Sequence, residues 1–210
     1  MKTLAQLRNI VTTNLGKNDS DTVTLVDEAL NTAAICVAAA FDPPELSSNK
    51  ALNIAGSQDI TSAVIPNFME FVKIRNNTSN MAMGFIPWEL WDHIIPSVNQ
   101  TKYYSWYGQT LYVARNATGP ITNIQLYYRQ YPARMVSDSN TLGFENFDGL
   151  VTAVATAIVW AAYEEVEASK LQADVFTQLG AAASISETRK KIIQGALTDF
   201  EEAFLKGGRK

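Results

Sequence analysis

The chain has 210 residues, 47% of them hydrophobic and 18% charged, with a net charge of −4. A chain of that length buries roughly 70% of its unfolded surface and needs no covalent staple, and its single cysteine, Cys36, excludes an intramolecular disulfide. The acidic balance excludes the basic footprint of a tight nucleic-acid binder, and the single histidine, His93, leaves too few nitrogen and sulfur ligands for a zinc site.

In chain order, the opening "MKTLAQLRNIV" has no apolar core of the secretory-signal kind. Leu4, Leu7, Ile10, Val11 and Leu15 repeat at three-and-four spacing, which predicts a helix that Gly16 ends. After a polar loop, "KNDSD", a second helix is expected over 22–41, with Val26, Leu30, Ala33, Val37 and Phe41 on one stripe. Its alanines permit close helix packing, and Cys36 reads as a small buried hydrophobe in it. Asp42-Pro43-Pro44 stops the helix, because proline excludes the helical conformation from the residue before it.

The middle changes character. Short strands are expected over 52–55, 60–65 and 70–75, separated by Gly, Pro and Asn. "PWELWDHIIP" predicts a short helix with Pro87 at a tolerated first position. "QTLYVAR" and "ITNIQLYYRQY" then read as a hairpin joined by "NATGP", with Ile124, Leu126 and Tyr128 on one face and Gln125, Tyr127 and Arg129 on the other. From Phe147 helical spacing returns. One long helix is expected over 150–179, apolar nearly all round at first and amphipathic after Tyr163. Its run "LVTAVATAIVWAAY" is shorter than the ~20 residues that span a bilayer and reads as core, so no membrane partner is expected. A last helix follows over 186–206, with Ser186 as N-cap, Gly207 as stop, and Ile192, Ile193, Ala196, Leu197 and Phe200 on one face.

The fold class expected is therefore α+β: a helical bundle made by both ends of the chain, carrying an inserted antiparallel β-rich subdomain. The boundaries are 1–45 for the N-terminal helices, 46–140 for the insertion, 141–185 for the long helix packed on the first two, and 186–210 for the terminal helix with its basic tail.

Catalytic chemistry finds little support. No serine elbow, P-loop or dinucleotide glycine signature occurs. A nucleophilic pair would require Cys36 to meet His93. Glu70, Glu89, Asp92 and Glu145 lie near aromatic residues, as a glycosidase cleft would need, but spacing does not pair them. The expectation is a protein without catalytic residues, cofactor or metal.

Residues 101–135 hold eight aromatic rings, including seven of the chain's eight tyrosines. A sugar platform would use exposed coplanar rings such as Trp88, Trp91, Trp106 and Tyr107. Single-strand stacking also needs a basic groove, for which Arg115, Arg129 and Arg134 are too few. Packing within a sheet and anchoring of a subunit interface is the third use, since Tyr and Trp favour surfaces that bury one end of the ring.

The succession of segments resembles the head-to-tail adaptor (connector) proteins of tailed bacteriophages. Two helices, "LAQLRNIVTTNLG" and "TVTLVDEALNTAAICVAAAF", precede a β-rich segment with an Ile-Pro step, "AVIPNFMEFVKI". The strands "YYSWYGQTLYV" and "IQLYYRQYP" follow, then the closing "FENFDGLVTAVATAIVWAAYEEVEASKLQADVFTQL". The resemblance covers about residues 3–180. The more aromatic middle and an extra terminal helix depart from it.

What the resemblance implies is a structural virion protein, made in the host cytoplasm and placed at the head-tail interface. It implies a homo-oligomeric ring, twelvefold in the family, that joins the portal protein to a tail or neck protein and lets DNA pass without sequence-specific binding. It places portal contact in the terminal segment, on Arg189, Lys190, Lys191, Phe204, Arg209 and Lys210, with that segment separable from the fold. Trp88, Trp91, Trp106, Tyr107, Tyr112 and Tyr127 are the candidates for a subunit or tail interface. The alternative is a glycan-binding tail component that uses the same rings as its platform.

Overall fold

The computed structural model describes residues 1–54, 57–59, 65, 67–94, 102–107, 110–114, 122–164, 168–180 and 185–206. The protein is α+β, as expected, with six α-helices and eight strands among the described residues. Two compact units divide it: Met1–Leu46 together with Pro132–Lys210, and Ser47–Tyr131.

The first unit is helical. Helix α1 (Leu4–Leu15) opens with a capping box: the Thr3 hydroxyl accepts from the Gln6 backbone N–H at 3.4 Å, and the Gln6 side-chain carbonyl accepts from the Thr3 N–H at 3.0 Å. Gly16 ends it in the left-handed conformation, at φ 67°. Helix α2 (Ser20–Phe41) is capped by Asp19, whose carboxylate accepts from the Thr22 N–H at 2.9 Å and the Thr22 hydroxyl at 2.7 Å. Asp42, at φ 55°, closes it one residue before Pro43.

Those bonds from Thr22, the side-chain bond foremost, hold the Asp19 carboxyl below its ordinary value of 3.8. A group depressed in the folded state stabilises it above the unfolded pKa and loses that contribution as the pH falls through the folded one. Asp19→Ala is thus expected to lower the melting temperature at neutral pH. The gap from the parent protein should close as the pH drops below 3.8. Asp19→Asn, which keeps a capping oxygen, should show a smaller, less pH-dependent loss. A gap that persists unchanged at acid pH would show that the carboxylate is not the cap.

Helix α2 lies at the centre and packs against α1, α4 (Asp148–Tyr163) and α6 (Glu187–Phe200). Small residues on it, among them Ala29, Ala33, Cys36 and Ala38, are fully buried and let the neighbouring helix axes approach closely. Among the described residues α2 is the one helix long and apolar enough to cross a bilayer by length and composition. Its apolar stripe, however, faces the other helices. Arg8 anchors its outer side with two 2.7 Å bonds to the Asp27 carboxylate and a third contact, 2.9 Å, to Asp138; the Asp27 bond foremost holds the guanidinium's pKa above its ordinary value. Asn31 brackets the backbone of Met135, donating to its carbonyl at 3.1 Å and accepting from its N–H at 2.8 Å.

The single helix expected over 150–179 is corrected to two: α4 stops at Tyr163, and α5 (Ala168–Leu179) packs back against α4. A straight helix over 150–179 would run for about 45 Å at ~1.5 Å per residue. It would carry Leu171, Val175 and Leu179 away from the core in which they are in fact buried. The Tyr163 hydroxyl bonds the Thr22 hydroxyl, tying the end of α4 to the start of α2.

Helix α6 starts at the expected cap, where the Ser186 hydroxyl accepts from the Arg189 N–H at 3.4 Å. It buries Ile193, Leu197 and Phe200 in the same core as α1, α2, α4 and α5, then widens into a π-type turn over Glu201–Lys206. The expected stop at Gly207 lies outside the described residues.

The second unit is a two-sheet sandwich. One sheet orders β1 (Ser47–Ile54), β8 (Thr122–Gln130), β3 (Phe68–Asn76) and β4 (Met81–Ala82) side by side, all antiparallel. The other orders β2 (Ser57–Asp59), β7 (Thr110–Val113), β6 (Tyr103–Tyr107) and β5 (Gly84–Phe85), with β5 and β6 parallel. Ile124, Leu126 and Tyr128 face inward as the alternation requires, and meet Ile54 and Ile74 of their own sheet and Leu111 and Val113 of the other.

The expected hairpin of "QTLYVAR" with "ITNIQLYYRQY" is therefore not formed. Strand β7 pairs with β2 and β6, and β8 pairs with β1 and β3. Both strands alternate apolar residues inward, so they share the core by facing each other across it rather than by bonding edge to edge. The joining "NATGP" lies outside the described residues, as does the strand expected over 60–65 apart from Ile65, which is fully buried.

Candidate functional site

The outer face of the second sheet is covered by the short helix α3 (Trp88–Ile94), and there four of the expected rings meet. Trp88 stacks on Tyr107 at 5.0 Å and lies 4.5 Å from Tyr112; Trp91 lies 6.4 Å from Trp88 and 6.3 Å from Tyr112. Ile86 and Ala114 fill the base of the cluster. Trp91 is buried and Tyr107 is 59% exposed, so ring faces are spent on one another and the cluster shows mainly one edge. Phe85 and Leu90, 56% and 47% exposed, add apolar surface to the same unit.

Trp106 does not join this cluster. Neighbours in a strand point to opposite faces, so Tyr107 lies under α3 while Trp106 points into the sandwich, 4.9 Å edge-on to Phe71 and 5.7 Å from Phe68. Tyr127 lies on the outward face of the first sheet, with the Lys73 ammonium 4.8 Å over its ring. The aromatic-rich stretch thus serves three separate surfaces. An exposed coplanar platform for a sugar is not what Trp88, Trp91 and Trp106 build.

The first sheet's outer face carries a row of hydrogen-bonded side-chain amides. Asn77 Nδ2 donates to Asn123 Oδ1 at 2.5 Å, Asn123 Nδ2 donates to Asn53 Oδ1 at 2.8 Å, and Gln125 Nε2 donates to Asn49 Oδ1 at 2.7 Å. These uncharged amides run from the turn after β3 across β8 to β1. The alternation of "TNIQLYY" already placed Asn123 and Gln125 outside; their partners became visible only with the strand order.

At the terminal helix, Arg189 is held by Asp42 at 3.1 Å and Lys190 by Glu187 at 2.7 Å, whereas Lys191 is exposed. Phe204 stacks on Phe200 at 5.1 Å and packs against the helical core. A groove of about 290 Å³ lies beside them, lined by Ile35, Pro132, Ala133 and Asp199 as well as these rings. Arg209 and Lys210 lie outside the described residues.

The candidates for chemistry are scattered. Glu89 and Asp92 are exposed on α3, Glu70 lies in β3, and Glu145 belongs to the helical unit. Cys36 is fully buried and desolvation pushes its thiol up to about 12, far from a thiolate at neutral pH. Among the described residues no group of three or more His, Cys, Asp or Glu side chains is placed to hold a metal ion.

What the fold offers is a helical body and an inserted two-sheet sandwich. The family model that matches the chain is that of a bacteriophage adaptor, a class of structural protein at the junction of head and tail. The match, to the SU10 adaptor protein, runs over residues 2–197, and the chain belongs to that family. It takes in both units and most of α6, so the terminal helix is part of the family's fold and not an addition to it. No curated protein matches the chain.

Proposed function

We propose that this protein forms a closed ring, twelvefold as the resemblance implied, that docks beneath the capsid portal, continues the DNA channel and presents a platform to the tail. The observation that carries the reading is the family match across residues 2–197, which spans helical body and sandwich alike. A net charge of −4 fits a passage that does not retain DNA.

Within this reading the terminal segment faces the portal. Lys191, exposed beside the paired Lys190, is the cation on α6 best placed to reach it, with Phe204 at the adjoining groove. The α3 cluster, with Tyr107 and Leu90 exposed, supplies the tail-side contact, where aromatic residues are favoured.

Light scattering on the chain alone, and after mixing with the portal of the same virion, tests the proposal. A stoichiometric complex with the portal ring is the expected result. Failure to associate across a range of salt concentrations would overturn it. Titration of tryptophan fluorescence with host-surface polysaccharide would then test the glycan-binding alternative.

A further inference from the structure

The two units carry opposite charge. Residues 47–131 hold six Lys and Arg against four Asp and Glu, a net +2, whereas the remainder holds eleven against seventeen, a net −6. Each sign has a surface that exposes it.

On the sandwich this is the outward face of β1, β8 and β3. The amide row from Asn77 through Asn123 to Asn53, with Gln125 on Asn49, holds its side chains in one arrangement before any partner arrives. Lys73 stands over Tyr127 beside this row, and Arg75 donates to the Asn80 carbonyl at 3.3 Å. A face fixed in this way loses little side-chain freedom on binding. Strand β1 is the edge of its sheet, with Ser47, Asn49, Ala51 and Asn53 exposed.

On the helical unit the complement is a shallow groove of about 210 Å³ between α4 and α5. Trp160, 43% exposed, stands at it with Glu164 and Asp174, and Lys170 is the one cation among the lining residues. No ring among the described residues stacks on Trp160. An exposed tryptophan ringed by polar groups is the residue type that most often dominates a protein interface.

We infer that copies of this chain meet head to tail, the β1–β8–β3 face of one copy seated on the Trp160 groove of the next. The inference rests on the ring reading and names its lateral contact. A second copy is the favoured occupant because the same chain supplies both charges, and a heterologous contact of unlike surfaces is what generates a ring. Duplex DNA is the rival for the amide-rich face, but Lys73, Arg75 and Arg129, with Glu70 opposite Arg129 on the same face, give only a small counterion-release term.

Reciprocal charge reversal tests this on the full chain, with circular dichroism confirming the fold of every variant. Lys73→Glu with Arg75→Glu, and separately Glu164→Lys with Asp174→Lys, should each weaken assembly by about tenfold or more. Combining all four should restore it. Trp160→Ala should weaken assembly by a similar factor without changing its salt dependence.

Assembly unchanged by either reversal, or no recovery in the combined variant, overturns the assignment while leaving the ring intact. Loss of duplex-DNA retention in the Lys73/Arg75 variant with assembly preserved gives the face to DNA instead. A parent chain that never associates, with or without portal, removes the ring reading and this contact together.

Discussion

A chain ending at residue 186 is expected to lose its cooperative thermal transition rather than to remain folded without its portal contact. Helix α6 buries Ile193 and Leu197 completely and leaves Phe200 only 3% exposed, all within the single helical core. Burying each such side chain contributes about 1.5–3 kcal/mol, and a whole domain is stable by only about 5–15 kcal/mol. Removing the helix also uncovers the face of α2 on which it lies and frees Asp42 from Arg189. The truncated chain should therefore show a broad, early melt and aggregation. Leu197→Ala alone should cost about 2–5 kcal/mol.

This result bears on function. Loss of portal docking in a truncation would report unfolding, so the terminal contact has to be probed with surface changes such as Lys191→Glu. That substitution should shift stability by no more than about 0.5 kcal/mol. A truncated chain that melts sharply within a few degrees of the parent would show α6 to be separable after all.

The helix ends were legible because single residues set them. Gly16 gives a left-handed cap, Pro43 forbids a further turn, and Ser186 offers a hydroxyl to an orphan amide. The capping box at Thr3 and Gln6 was equally readable and was missed. The inward set Ile124, Leu126 and Tyr128 followed from period-two alternation. Strand pairing did not follow, because alternation says which face is buried and not which strand lies alongside. Strands β7 and β8 read alike whether they are bonded in one sheet or opposed in two.

The break between α4 and α5 was hidden for a similar reason. Val151, Val154 and Ile158 before it and Leu171, Val175 and Leu179 after it all keep helical spacing, and only the position of the core requires the chain to return. Of the candidate site, the sequence supplied the rings but not their grouping. The parity of Trp106 and Tyr107 was available to separate them. The amide row and the Trp160 groove depend on register and helix packing that no local pattern encodes.

Phe144→Ala is the point substitution expected to cost most. Phe144 is fully buried and among the largest such side chains, in the segment that leads into α4. Its ring meets Phe147 edge-on at 5.8 Å, and Phe147 lies 5.5 Å from Phe41, the last residue of α2. Phe147 occupies the N-cap position of α4 yet makes no side-chain capping bond, so this chain of rings, rather than a hydrogen bond, fixes where α4 begins.

Removing the first ring leaves a cavity and loosens the second; the cost should be about 3–5 kcal/mol. At about 2–4 °C per kcal/mol for a chain of this size, the midpoint should fall by roughly 6–20 °C. Phe144→Leu, which keeps most of the volume, should lose less than about 1.5 kcal/mol. The difference between the two variants separates volume from ring contact. If alanine proves no worse than leucine, the segment collapses onto the gap, and the start of α4 is fixed by its own burial of Val151 and Val154 rather than by the rings.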